Sequence, residues 1–420
     1  MNRAALIRGI QLIVAITLAT FAYLLYDAIR EQRASLTEGF ADANPFWLLF
    51  AAVLALQEGV IGGVRAWVLG RVLYPSLRLR TAVTSEFVLM FCSGVTPGQT
   101  GGPPTQAAVL AHGGMGVVNA ATTEFVIAAC TILFFLSSAV AIFALRAAGL
   151  FAVEGGAGIN VLLAFTIGVY CLCLVCLVLG AASPSILKAM LRLVSRILSP
   201  LWRGFLRLAR RSTRLRAWAE ARLGTRGVYT EKLAAGIDDC HEGFAVYVRR
   251  GKAAFALAML LTVAFFWVRF ATAYFILLGL GIPTTPSTYV TVGPPILQII
   301  LVQSLLNFAL YLSPTPGASG VAEAGSTALM APWVRGVHEL PYLVLWRVLT
   351  LFLCMFVGGL YVFRYLGTDV LEKQVKEAED AKKALEQARL AGALSAPSGR
   401  DAGKEPPGAE DTVNPGQPRP

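Results

Sequence analysis

Seven ionisable side chains, Glu58, Arg65, Glu86, Glu124, Arg269, Glu323 and Arg347, fall inside otherwise apolar stretches of this 420-residue chain. A charge at the centre of a membrane helix costs roughly 2.5–3.5 kcal/mol by insertion scales, so each must have a partner or a task. Arginine in a protein-lined cavity suits a phosphodiester, because its planar fork binds two oxygens and its charge does not titrate away. Arg269, mid-span, and Arg347, near the outer part of the last span, are the candidates. The competing reading is that either arginine merely pairs with Glu124 or Glu323 so that helices can pack. Arg65 is close enough to an inner helix end to snorkel to lipid phosphates. Glu58 and Arg65, seven apart, share a helix face two turns distant, so each should meet a partner on another helix.

Backbone chemistry adds to this list. The hexapeptide Thr96-Pro97-Gly98-Gln99-Thr100-Gly101 returns 219 positions later as Thr315-Pro316-Gly317-Ala318-Ser319-Gly320. Proline lacks a backbone donor and glycine tolerates unusual torsions, so T-P-G-x-[T/S]-G cannot continue a helix. Broken backbone survives at membrane depth only where it is packed in protein or lines a wet cavity. Paired breaks in two halves of a chain point to a transporter's binding site. Return helices starting at Pro103 and Val321 would add open amides and positive dipole ends. The candidate substrate-binding set is therefore Thr96, Pro97, Gly98, Gly101, Gly102, Glu124, Arg269, Thr315, Pro316, Gly317, Gly320, Glu323 and Arg347. No nucleophile-base pair or nucleotide motif is visible, so no catalytic residue and no cofactor is expected. The seven cysteines and three histidines show no zinc spacing; Cys171, Cys173 and Cys176 read as small apolar residues.

These residues need a bilayer-spanning scaffold. With 56% apolar and 15% charged residues and a mean hydropathy of +0.64, the chain reads as an all-α polytopic membrane protein. Several runs exceed the roughly 18–20 residues that cross about 30 Å of hydrocarbon. The formal charge of +11 sets orientation rather than nucleic-acid binding. Arg3 and Arg8 put the N-terminus in the cytoplasm, and residues 6–26 read as an uncleaved first span. Further full spans are expected at about 45–73, 119–145, 158–180, 253–279 and 341–363. Residues 184–252 hold fifteen of the thirty-six basic residues against five acids and should be cytoplasmic. The stretches 82–118 and 289–331 must then each begin and end on one side. The simplest solution is two re-entrant hairpins, entering from opposite faces as an inverted repeat. The first has arms at 82–95 and 104–112 and its tip at 96–103. Residues 296–312, however, are long enough to cross fully.

Three segments outside the spans have their own signals. Within 184–216, Leu187, Leu191, Val194, Leu198, Leu201, Phe205 and Leu208 form an apolar stripe opposite Arg192, Arg196, Arg203 and Arg207. This is an interfacial helix whose arginines anchor to anionic lipid, at about 1 kcal/mol each. Residues 1–366 form the membrane domain, 367–393 an alternating-charge helix and 394–420 a disordered tail. The tail could bind a protein partner; a solvated tail is the simpler account.

Gly94-Val95-Thr96-Pro97 through Gly102-Pro103, Pro314-Thr315-Pro316-Gly317 to Glu323, and Arg347-Val348-Leu349-Thr350 to Gly358-Gly359 resemble the lysylphosphatidylglycerol synthase transmembrane-region family, also described as the flippase-like domain. The resemblance covers roughly residues 5–365, and its most specific element is P-T-P-G-x-S-G-x-x-E. It implies a flippase-like membrane domain of the bacterial inner membrane. The soluble aminoacyl-transferase domain of bifunctional members is not implied by residues 366–420. Two departures stand out. Where many members carry Glu-Arg, this chain has Thr123-Glu124-Phe125, and a G-E-x-x-R-like element is here Gly102-Pro103-Pro104-Thr105-Gln106. If those charges handle a headgroup in relatives, the substrate here differs. The expected function is movement of a lipid or lipid-linked anion between leaflets without covalent chemistry, with an anionic membrane phospholipid as partner. The rivals are a lipid-modifying enzyme using Glu124 and Glu323 as acid and base, and a non-transporting envelope-assembly scaffold.

Overall fold

The computed structural model describes residues 38–96, 98–151, 156–183, 185, 241–285, 293–362 and 364. The expected first span, the interfacial helix with Arg192, Arg196, Arg203 and Arg207, the charged helix at 367–393 and the tail lie outside the described residues. The chain divides into two compact units, Met1–Val362 and Phe363–Pro420, and all described residues except Arg364 belong to the first. Among the described residues the regular structure is helical: α1 (Pro45–Leu73), α2 (Leu79–Val95), α3 (Gly102–Leu110), α4 (Val117–Ala147), α5 (Gly156–Ala182), α6 (Lys252–Gly279), α7 (Pro295–Leu312), α8 (Val321–Met330) and α9 (Glu339–Arg347). Helix α9 runs on through a π-helical turn at Val348–Phe352 into helix that continues to Val362.

Six described helices are long and apolar enough to cross a membrane: Pro45–Leu73, Val117–Ala147, Gly158–Gly180, Lys252–Gly279, Pro295–Leu312 and Gly336–Val362. Five match expected spans. The sixth, α7, was expected as one arm of a re-entrant hairpin. At 18 residues it covers about 27 Å at 1.5 Å per residue, enough to cross by itself. Helix α2, with 17 residues, is the arm before the other break.

The exterior confirms the medium. On α5, Val161, Phe165 and Leu172 are 69%, 57% and 64% exposed, so this helix presents bulky apolar side chains outward. Water would penalise that face, whereas lipid does not. Inside, aromatic rings fill the space between α4, α5, α6 and α7. Phe134 stacks on Phe266 with centroids 4.5 Å apart, and Phe135 lies between Tyr170, Phe266 and Phe308. Helices α1 and α6 pack along one another. The start of α1 is set by Asn44, whose side chain accepts the Phe46 N–H at 3.0 Å, with Pro45 at the first helical position.

Both motif-bearing helices stop for the same local reason. A residue before proline is pushed out of the helical region. Thr96, before Pro97, has φ −108° and ψ 142°, ending α2. Ser313, before Pro314, has φ −72° and ψ 129°, ending α7. Each break is then followed by a shorter helix packed back against the first, α3 on α2 and α8 on α7. The first return helix begins at Gly102, just ahead of the expected start at 103–104, and passes at Leu110 into a π-helical turn, Ala111–Met115, kinked where Gly114 has φ 97°.

Candidate functional site

The two hexapeptides share the backbone of their central turn and differ at the last residue, where Gly101 has φ −78° and Gly320 φ 86°. In each, the glycine and the next residue are left-handed, with φ 60° and 56° at Gly98 and Gln99, and 56° and 55° at Gly317 and Ala318. In each, the residue after the glycine donates its N–H to the threonine carbonyl: Gln99 to Thr96 at 3.2 Å, Ala318 to Thr315 at 3.0 Å. Proline second and a positive-φ glycine third is the demand of a type II turn, which is why T-P-G recurs. Two consecutive left-handed residues, the second non-glycine, are locally costly at about 1–2 kcal/mol for an L-residue. Gln99→Gly should accordingly stabilise the solubilised protein by up to about 1 kcal/mol once glycine's greater unfolded entropy is subtracted, and thermal unfolding would read this.

The loops are closed differently. In the first, Thr96 Oγ1 donates to the Cys92 carbonyl at 2.7 Å and accepts the Gly101 N–H at 2.9 Å. Gly102 lets α3 approach α2, since a Cβ there would fall on Ser93 Oγ. In the second, Thr315 Oγ1 donates to the Ser319 carbonyl at 2.9 Å. The Gly320 N–H donates to Glu323 Oε2 at 2.6 Å. Glu323 is the third residue of α8, the position from which a carboxylate caps the helix start. The amides of Gly101 and Gly320, just ahead of the two return helices, are thus engaged by Thr96 and Glu323.

Arg347 completes the second loop. Its Nε donates to Glu323 Oε1 at 2.8 Å, its Nη2 lies 2.6 Å from the same oxygen, and its Nη1 donates to the Gly317 carbonyl at 3.1 Å. One guanidinium therefore ties α9 to both ends of the motif. This explains the spacing of P-T-P-G-x-S-G-x-x-E: the glycine presents a carbonyl to the arginine, and the glutamate bridges that arginine to the helix cap.

The two breaks meet. A Cβ at Gly317 would lie 3.5 Å from the Gly94 carbonyl and 3.2 Å from Leu351 Cδ2, and one at Gly98 would lie 4.0 Å from the Ser313 carbonyl. Between them is a cavity of about 90 Å³ lined by Gln99 and Gly94 from the first break, Gly317 and Ala318 from the second, and Arg269, Arg347, Glu58 and Asn307. Arg269 donates to Glu58, an ion pair joining α6 to α1. The volume admits a few waters or one small polar group. Asn307 Oδ1 is buried without a protein donor.

A model of the lysylphosphatidylglycerol synthase transmembrane region matches residues 10–358. The chain belongs to this family. No curated protein and no solved structure is similar enough to the chain to register as a match. Family membership together with the six long apolar helices makes this a multi-pass membrane protein.

Of the residues expected in the substrate site, Gly317, Arg269 and Arg347 line the cavity. Glu323 is one bond removed, through Arg347, and Gly320 two, through Glu323. Thr96, Gly98, Gly101, Gly102, Thr315 and Pro316 shape the turns without lining it, and Pro97 lies outside the described residues. Glu124 is not among the lining residues and pairs with neither Arg269 nor Arg347; its electrostatic neighbours are Glu86 and Arg65. Arg269 takes Glu58 instead, which carried the signal of a charge within a span. Asn307 carried the weaker signal of an amide in an apolar run, while Tyr311 and Trp346, which also line the cavity, carried none.

Proposed function

We propose that this protein moves an anionic lipid, or a lipid-linked anion, between the leaflets of the bacterial inner membrane, acting as a transporter without covalent chemistry. The observation that carries this reading is the convergence of two broken helices and two arginines, Arg347 buried and Arg269 a quarter exposed, on one small cavity. Broken helices meeting at mid-depth are the architecture of transporter binding sites. The cavity is phosphate-sized rather than lipid-sized, so the phosphodiester enters and the acyl chains stay in the bilayer. Arg269 and Arg347 are presented to it with one carboxylate each, and an incoming phosphate competes with those carboxylates for the guanidinium forks. In this reading the two helix-break-helix units are re-entrant from opposite faces, both termini are cytoplasmic, and the basic segment 184–252 faces anionic lipid on the inner leaflet.

The test is leaflet-specific labelling in proteoliposomes. Fluorescent phosphatidylglycerol should reach dithionite in the outer leaflet at least tenfold faster with the protein than in empty vesicles, with no new lipid species on chromatography. A new lipid species would instead mark a lipid-modifying enzyme. Neither movement nor product would leave an assembly scaffold.

A further inference from the structure

Among the described residues the buried charges do not cancel. Glu58 is matched by Arg269 and Glu323 by Arg347. Glu86 is paired with Arg65, whereas Glu124 has no ion pair within 4 Å among the described residues and feels both Glu86 and Arg65 at longer range. Arg65 Nη2 lies 3.6 Å from Glu86 Oε1, and Glu86 Oε2 accepts a hydrogen bond from Gln106 Nε2 at 2.7 Å. Arg65, Glu86 and Gln106 are 4%, 1% and 0% exposed. Glu124 interacts electrostatically with both Glu86 and Arg65, and its Oε1 is buried with no protein donor. Arg65 Nε and Nη1 and Gln106 Oε1 are buried without protein partners too. Two carboxylates against one guanidinium leave one negative charge in a region that cannot solvate it.

We propose that Glu124 is a proton-binding site, holding a proton taken up from water on one side of the membrane and releasing it to water on the other as its carboxyl converts to carboxylate. A proton fits where a metal cation does not: it needs one oxygen, whereas a metal ion needs several oxygen ligands and is repelled by the adjacent guanidinium. The groups that reach Glu124 come from every side of α4. They are Arg65 on α1, Glu86 on α2 and the Tyr247 phenol on the helical stretch 241–250. Tyr247 is itself tied down, its hydroxyl donating to the Leu69 carbonyl at 2.8 Å and lying 3.2 Å from Thr123 Oγ1. The other charges on the helices packed against α4 are Glu58 and Arg269, which neutralise each other, and Arg71 and Lys252 near the ends of α1 and α6.

The placement gives the proton a lever. Glu86 is on α2 and Gln106 on α3, the two arms flanking the first break, and their hydrogen bond clasps the arms together. Deprotonated Glu124 competes with Glu86 for Arg65 and so shifts the carboxylate that holds the clasp; protonated Glu124 leaves Arg65 to Glu86. The proton site stands without the transport reading, but its use as the driving ion rests on that reading.

The test is infrared difference spectroscopy of the full chain in lipid, comparing wild type, Glu124→Gln and Glu58→Gln. A protonated-carboxyl stretching band at neutral pH, lost in Glu124→Gln and kept in Glu58→Gln, is the expected result. Should Glu124→Gln fail to fold, Glu124→Asp must shift the band. No band in the wild type, or a band indifferent to residue 124, overturns the proposal. In proteoliposomes a pH gradient should change the rate of lipid movement severalfold in wild type and leave Glu124→Gln unaffected. Movement that follows a sodium gradient and ignores pH overturns proton coupling. No movement at all overturns the transport reading, and the infrared result then decides the proton site alone.

Discussion

Arg347→Ala lowers the stability of the solubilised protein by about 3–5 kcal/mol, the loss that follows when one member of a buried ion pair is removed. The magnitude is expected at the upper part of this range because three bonds are lost together. The substitution leaves Glu323, a quarter exposed, without its cation, and the Gly317 carbonyl without its donor. Glu323 still caps Gly320, so α8 survives; what is released is the tie between α8, the left-handed turn and α9. Arg347→Lys keeps the charge but not the fork, since an ammonium cannot hold Glu323 and Gly317 in one plane. It should recover roughly half of the lost stability and none of the lipid movement. Thermal unfolding and the proteoliposome assay on the same preparations check both. Lysine that restores movement would reduce the arginine to a simple charge partner.

The second large effect separates stability from function at the other arginine. Arg269→Met leaves Glu58, 1% exposed, as an uncompensated buried carboxylate and costs about 3–5 kcal/mol. The double substitution Glu58→Leu with Arg269→Met removes both charges, replaces them with apolar groups of similar volume, and returns stability to within about 1 kcal/mol of wild type. The double variant should nonetheless move anionic lipid no faster than empty vesicles, because the cavity has lost one of its two cations. If it transports normally, the Glu58–Arg269 pair serves packing alone.

These effects are large because the site is assembled from charges whose partners lie far apart in sequence. Glu58 and Arg269 are 211 residues apart, and Glu323 and Arg347 are 24 apart. The charge pattern announced that each buried ion needed a partner but offered no way to choose among them. In the competing reading, in which the arginines serve packing, the partners considered for Arg269 were Glu124 and Glu323. The packing of α1 along α6 gives it Glu58 instead, while Glu124 lands beside Arg65 and Glu86. Likewise Glu58 and Arg65, two turns apart on one helix, were expected to reach different helices, and they do: one meets α6, the other α2.

Local chemistry was legible in advance. A glycine after proline accepts a positive φ, so both hexapeptides had to form a turn that no helix continues through; where α7 stops was set by Ser313 before Pro314, just ahead of the second hexapeptide. Apolar length likewise required membrane-crossing helices at 45–73, 119–145, 158–180, 253–279 and 341–363, because burying or solvating such runs otherwise is prohibitively costly. Sequence by itself thus determined a helical membrane protein with two equivalent breaks and a set of ions too expensive to be idle. Tertiary structure decided that the breaks abut at one cavity, that Glu323 both caps α8 and holds Arg347, and that Glu124 belongs to a separate cluster with one carboxylate too many. The reason is physical. Turn geometry and hydrophobic length act within a few residues along the chain, whereas ion pairing is settled by which helices pack side by side.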